Sequence, residues 1–168
     1  MSNIPGILGE IVAKRRYTIE ETKKNKSLAE VRTSAENTSD PLSLQRIIDS
    51  KQGISLIAEM KRSSPSAGLL DPNLDPAKRA SLYCDANAAA ISVLTEPDYF
   101  SGSIEDLAAA SAVSRAAQIP VLRKDFIVDE YQVYEAKAAG ADCILLIIGC
   151  LDPKQYSDLF LLSTSMKM

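Results

Sequence analysis

Glu59 and Lys61 stand two residues apart just behind the apolar run at residues 54–58. In an extended segment such residues project to the same side. A carboxylate and an ammonium entering one cavity make an acid–base couple, because partial burial moves their proton affinities toward neutrality. The same spacing equally describes a salt bridge on a solvated rim. Lys124 ends another apolar run, residues 120–123, where a lysine either donates a proton or simply meets water. Ser64-Pro65-Ser66-Ala67-Gly68 brings hydroxyls and a tight backbone suited to an anion, and Tyr99 with Phe100 offers an aromatic wall or a lid over the core. The chain has no histidine. That removes Ser-His-Asp and Cys-His catalysis, His-ligated zinc and H-E-x-x-H chemistry, so proton transfer falls to Lys, Glu, Asp, Tyr or Cys. Neither a G-x-G-x-x-G nor a Walker A pattern occurs, which leaves nucleotide binding unsupported.

The elements that must hold these residues follow one texture from residue 54 onward. Short apolar runs predict strands over 54–58, 89–95, 120–123 and 143–148. Between them, amphipathic stretches predict helices over 75–86, capped by Asp75 with Pro76 in the first turn, and over 103–117, with Glu105 and Asp106 in an acidic first turn. A third helix spans 129–139 and closes at Gly140, and a fourth runs from Asp152-Pro153 to about residue 162. The strand runs are continuously apolar rather than alternating, so the sheet is expected to be parallel and covered by helices, as in a doubly wound sheet or a (βα)8 barrel. In such folds ligands bind at the carboxyl ends of the strands. The clusters behind the first three runs, around Glu59, Thr95 and Lys124, would then face one mouth.

The first fifty residues differ. Residues 10–32 hold seven Lys or Arg against four Asp or Glu, the reverse of the whole chain's net charge of −3. Ile7, Leu8, Ile11 and Val12 recur at helical spacing before Lys14, Arg15 and Arg16. This predicts a helix from about Pro5 to Lys24, laid on the main body with its basic face in water. Polar breakers predict a loop over 33–41 and then a short helix over 42–50. The net negative charge argues against a nucleic-acid partner, and no apolar run is long enough for a membrane span. Cys84, Cys143 and Cys150 form neither a C-x-x-C nor a disulfide framework, and Cys84 and Cys143 read as small buried hydrophobes. The N-terminus lacks the pattern of a signal peptide, so a reduced, cytoplasmic setting is expected.

The segment 57–68, Ile-Ala-Glu-Met-Lys-Arg-Ser-Ser-Pro-Ser-Ala-Gly, resembles the signature of the indole-3-glycerol-phosphate synthase family. Residues 92–103 (Ser-Val-Leu-Thr-Glu-Pro-Asp-Tyr-Phe-Ser-Gly-Ser), 121–136 and 140–147 resemble further blocks of that family in order and spacing, and residues 7–15 resemble the helix ahead of its barrel. The resemblance implies a (βα)8 barrel behind an N-terminal helical extension, with residues 1–50 as extension and 51–168 as the first four βα units. It also implies the decarboxylating, dehydrating ring closure of 1-(2-carboxyphenylamino)-1-deoxyribulose 5-phosphate to indole-3-glycerol phosphate, a step of tryptophan biosynthesis that uses no metal or organic cofactor. Carried over residue by residue, Lys124 is the general acid that protonates the ribulose carbonyl oxygen. Lys61 holds anionic groups of the substrate and assists proton transfer. Glu59 orients Lys61 and takes part in the dehydration. Ser64 and Ser66 contact substrate, and Phe100 and Phe126 pack on its aromatic ring.

A complete barrel has eight units and about 250 residues, whereas four units are legible in these 168 residues. The family's later glutamate, its late-strand asparagine and its phosphate cup have no counterpart among them. The expectation is a half-barrel piece with exposed sheet edges and little turnover alone, prone to associate with a second copy. Fusion or association with other tryptophan-pathway enzymes also fits. Two other functions compete: a different phosphate-binding barrel of the phosphoribosylanthranilate isomerase type, and a non-catalytic half-barrel that self-associates.

Overall fold

A computed structural model describes residues 4–168. Three helices precede the sheet. The first, α1 (Gly6–Asn25), buries Ile11, Val12, Arg15 and Ile19 along one stripe. The second, α2 (Leu28–Glu36), starts at a capping box in which Ser27 and Glu30 satisfy each other's backbone N–H groups. Residues 33–36 are therefore helical where a loop was expected. The cap starts the helix, and burial of Val31 and Ala35 carries it through the polar residues. The third, α3 (Leu44–Ser50), is capped by the Ser43 hydroxyl.

The sheet begins with β1 (Ile57–Met60), two to three residues later than the apolar run at 54–58 suggests. Its register is set by the neighbouring strand β4 (Ala90–Leu94), with Ile57 opposite Ala90 and Met60 opposite Val93. Ile54 is left 98% exposed, and Glu59 lies inside the strand rather than behind it. A small antiparallel hairpin comes after β1, formed by β2 (Ser63–Ser64) and β3 (Gly68–Leu69). Next come α4 (Pro76–Asp85), capped by Asp75, and after β4 the single turn α5 (Pro97–Phe100). The helix α6 (Ile104–Ser114) starts at Ser103. Then come β5 (Val121–Lys124) and α7 (Glu130–Ala138), the latter starting at Asp129. Gly140, just past α7, adopts φ +88°, and a Cβ there would overlap the Ser111 hydroxyl. This position needs glycine for both reasons.

The last strand, β6 (Cys143–Ile144), is shorter than the expected 143–148. It pairs with β5 through two residues, after which Ile148–Cys150 turns in a 3₁₀ helix that drops Cys150 into the core beside Val12 and Ile19. The chain then enters α8 (Pro153–Ser165) through an Asp152–Gln155 capping box. The four-stranded sheet is parallel, in the order β1-β4-β5-β6.

Alternation along the strands divides their side chains between two faces. Met60, Ile91, Val93 and Val121 pack with Ala80 of α4, Leu107 and Ala110 of α6, and Ala136 of α7. By the register, Ile57, Glu59, Ser92, Leu94, Leu122 and Lys124 share the opposite face. A second core joins α1, α2, α7 and α8 through Val12, Ile19, Val31, Tyr131, Tyr134 and Leu159. Full burial of each large apolar side chain contributes roughly 1.5–3 kcal/mol. No helix of the described residues is long and apolar enough to cross a membrane.

Candidate active site

Glu59 reaches from the middle of β1 across the sheet face toward the end of β5. Its Oε2 accepts from Lys124 Nζ at 3.1 Å and from the Ser92 hydroxyl at 3.3 Å, while Oε1 meets Lys61 Nζ at 3.5 Å. The three charged side chains are each about one-third exposed, at 33% for Glu59, 31% for Lys61 and 35% for Lys124. Burial acts to raise the Glu59 carboxyl. The hydrogen bond and charge of Lys124, the charge of Lys61 and the Ser92 hydroxyl outweigh it, so the group titrates below the usual range. This corrects the sequence expectation that partial burial moves this carboxylate toward neutrality: desolvation is the largest single influence, but the two ammoniums and the Ser92 hydroxyl together outweigh it. The nearer partner of Glu59 is Lys124, and Lys61 sits further off.

Backbone contacts fix the cluster. The Tyr83 hydroxyl of α4 donates to the Glu59 carbonyl at 2.9 Å, and the Thr95 N–H donates to the Lys124 carbonyl at 3.0 Å. Phe100 of α5 and Phe126, two residues past Lys124, are half-buried and face each other at 6.2 Å between ring centroids, tilted by 39°. Glu96 is wholly buried and caps α5, accepting from the N–H groups of Asp98, Tyr99 and Phe100. Burial pushes its carboxyl up despite those three donors. It holds the turn that presents Phe100.

The hairpin carries the two serines. Ser64, half-buried in β2, accepts from the Ala67 N–H at 3.1 Å, and Ser66 is exposed at the turn. Neither hydrogen-bonds to Glu59, Lys61 or Lys124. The hairpin is pinned toward α5 by other residues. The Ser63 hydroxyl meets the Tyr99 carbonyl and the Ser101 hydroxyl, at 3.3 and 2.9 Å. Arg62 forks the Asp106 carboxylate and donates to the Leu74 carbonyl at 3.0 Å.

Behind the cluster lies a buried ionic network that composition alone did not suggest. Arg15 is buried against Asp125, which corrects the expectation that the basic face of α1 is solvated throughout. Arg123 and Asp125 flank Lys124 in sequence, and the pleat sends both to the helix side while Lys124 faces Glu59. Period-two alternation through residues 123–125 is the signal that separates them. Ser92 was hidden within an apolar run, and the same alternation applied to 92 and 94 would have picked it out. Among the described residues, no group of three or more Cys, Asp or Glu is placed to hold a metal ion. A cleft of about 370 Å³ between the start of α7 and α8, lined by Val128, Asp129, Gln155, Asp158 and Leu162, lies apart from the cluster.

A parallel sheet with a lysine–carboxylate–lysine cluster on the face opposite its helices defines an α/β protein of the type that does its chemistry at the carboxyl ends of strands. The family model described as indole-3-glycerol phosphate synthase matches residues 8–168, and the chain belongs to that family. An indole-3-glycerol phosphate synthase from Polaromonas sp. is 45% identical over 165 residues, covering 96% of this chain and 61% of that protein. One from Campylobacter fetus is 41% identical over 162 residues, covering 96% of this chain and 62% of that protein. One from Mycolicibacterium gilvum is 52% identical over 126 residues, covering 75% of this chain and 45% of that protein. The chain thus spans about 60% of the length of the first two relatives.

Proposed function

We propose that this chain carries the first part of the active site of an indole-3-glycerol-phosphate synthase, a carbon–carbon lyase of tryptophan biosynthesis that acts in the cytoplasm on a small phosphorylated substrate. In this reading residues 1–50 belong to an N-terminal extension, helical within its described part from residue 4, and 51–168 to the first half of a (βα)8 barrel. The observation that carries this reading is the Glu59 carboxylate bracketed by Lys124 and Lys61. In the reaction, the ring carbon bearing the carboxylate attacks the ribulose carbonyl. Lys124 Nζ delivers a proton to the developing alkoxide, where charge appears and general acid catalysis has most effect. Lys61 holds the substrate's anionic groups, and carbon dioxide and then water leave. Glu59 keeps both ammoniums aligned and takes part in the dehydration. Phe100 and Phe126 flank the aromatic ring and press the reacting carbons together, and Ser64 and Ser66 contact the substrate from the hairpin.

The test is titration with 1-(2-carboxyphenylamino)-1-deoxyribulose 5-phosphate, monitored by its own fluorescence. The chain is expected to bind saturably, and Lys61→Met and Lys124→Met each to weaken binding about tenfold, the scale of one lost charge-assisted contact. No binding, or equal binding by all three proteins, overturns the reading. Turnover, read as indole fluorescence, is expected to be little or none for the chain alone, because β1 and β6 leave the sheet open and the cluster one-third exposed. A rate matching that of the Polaromonas relative overturns this part.

A second reading, self-association through the sheet, draws on the exposure of Ile54, Leu56 and Ile57 beside the unpaired side of β1. Light scattering after size-exclusion chromatography separates the two: a discrete dimer favours association, and a monomer removes it. Association with other enzymes of the pathway is tested by co-elution in the same experiment.

A further inference from the structure

The first helix of the chain reaches the turn that carries Lys124. Arg15, on the buried stripe of α1, lays its guanidinium along the Asp125 carboxylate, Nε to Oδ1 at 3.1 Å and Nη2 to Oδ2 at 2.7 Å. The two side chains are 8% and 0% exposed. Asp125 Oδ1 also accepts from the Phe126 N–H at 2.8 Å, and Oδ2 accepts from the Thr95 hydroxyl at 2.7 Å and Arg123 Nη2 at 3.0 Å. Thr95 closes a ring, because its backbone N–H holds the Lys124 carbonyl and its hydroxyl oxygen accepts from Arg123 Nε at 3.1 Å. Gln132 holds the far side of the turn through the Phe126 carbonyl at 3.0 Å. The backbone on either side of Asp125 is thus fixed by groups that converge on a single carboxylate, and Arg15 is the member of that set supplied from outside the sheet and its adjoining helix.

Resting on the assignment of Lys124 as general acid, we propose that Arg15 is a positioning residue for it, so that α1 belongs to the working site rather than only covering the fold. The geometry makes the turn a lever. Asp125 points to α1 and Lys124 to Glu59, from adjacent positions on opposite sides of the chain. Arg15 supplies two of the five hydrogen bonds on the Asp125 carboxylate, so releasing the fork loosens the turn from which Lys124 reaches Glu59. A bidentate guanidinium fixes the angle of that carboxylate, whereas a single-point ammonium fixes only a distance.

The test is competitive acetylation of the folded chain with acetic anhydride at fixed pH, read by peptide mass spectrometry as the labelling of Lys124 and Lys61 relative to exposed Lys78. An amine held on a carboxylate reacts more slowly than a free one. Arg15→Met is expected to raise Lys124 labelling about threefold, the scale of one partly exposed ion pair, with Lys61 unchanged. Arg15→Lys is expected to give an intermediate rise. If circular dichroism shows Arg15→Met to be unfolded, Arg15→Lys carries the readout. A folded variant that melts earlier but keeps the wild-type Lys124 ratio overturns the proposal, because Arg15 is then a brace and nothing more. The ratio reports where Lys124 sits whatever the chain binds. A failed substrate titration therefore removes the general-acid assignment and leaves the placement result standing, and the reverse also holds.

Discussion

Replacing Asp125 with asparagine keeps the shape of the side chain and removes the charge on which two guanidiniums depend. Asp125 accepts from Arg15 Nε and Nη2, Thr95 Oγ1, Arg123 Nη2 and the Phe126 N–H. An asparagine whose oxygen serves Arg15 Nε and Phe126 turns its amide hydrogens toward Arg15 Nη2 and Arg123 Nη2, donor against donor. Glu135, which accepts from Arg123 at 2.8 Å, is then the one carboxylate left in contact with the pair. Removing one partner from a buried ion pair costs about 3–5 kcal/mol. With a urea dependence of about 2 kcal/mol/M, the unfolding midpoint of Asp125→Asn is expected to fall by about 2 M. The assay is urea denaturation monitored by far-ultraviolet circular dichroism at several pH values. Burial acts to raise the Asp125 carboxyl, but the charges of Arg123 and Arg15 and the hydrogen bonds from Arg15 and Thr95 hold it below the usual carboxylate range. Its folded affinity for a proton is therefore weaker than its unfolded one, so the stabilisation is complete above about pH 4 and fades as pH falls through the folded value. The gap between the two proteins is expected to be level from about pH 5 to 8 and to close on further acidification. A gap below about 1 kcal/mol at pH 7, or one that widens in acid, would refute the reasoning.

Gly102→Ala places a Cβ onto the Leu94 carbonyl, a backbone group that cannot step aside while β4 stays paired. A cost of about 2 kcal/mol and a melting temperature lower by about 6 °C are expected by calorimetry, and an unchanged melting temperature contradicts this. Burial and then the charge of Asp142 push the Cys143 thiol up to about 12. Iodoacetamide at pH 8 is therefore expected to modify Cys143, half-buried in β6, at least about 100-fold more slowly in the folded chain than in urea, and comparable rates would refute the raised thiol.

Much of this site was legible because local chemistry announces itself. Asp75, Ser103, Asp129 and Asp152 are side-chain caps whose first-turn contacts start α4, α6, α7 and α8 where the residue types demand. The two-residue spacing of Glu59 and Lys61 gave their shared side. The approach of Lys124 to Glu59 is a different kind of fact. It depends on the ladder that sets Glu59 opposite Ser92 and Leu94 opposite Lys124, and no single segment encodes that register. Arg15 was misread for the same reason. Beside Lys14 and Arg16 it looks like one more solvated cation, and only a carboxylate distant in the chain makes its burial favourable. The reading of residues 33–36 as loop weighed polar composition and overlooked Ser27 and Glu30, whose reciprocal bonds start a helix even ahead of a polar stretch.

The span of 110 positions between Arg15 and Asp125 sets an order of assembly during synthesis. At roughly 5–20 residues per second, α1 emerges from the ribosome some 5–20 s before its counter-ion exists. Until then its guanidinium stays hydrated and its apolar stripe has no seat. The N-terminal helix is therefore made early and docks late, after the sheet has grown far enough to offer the acid at the end of β5.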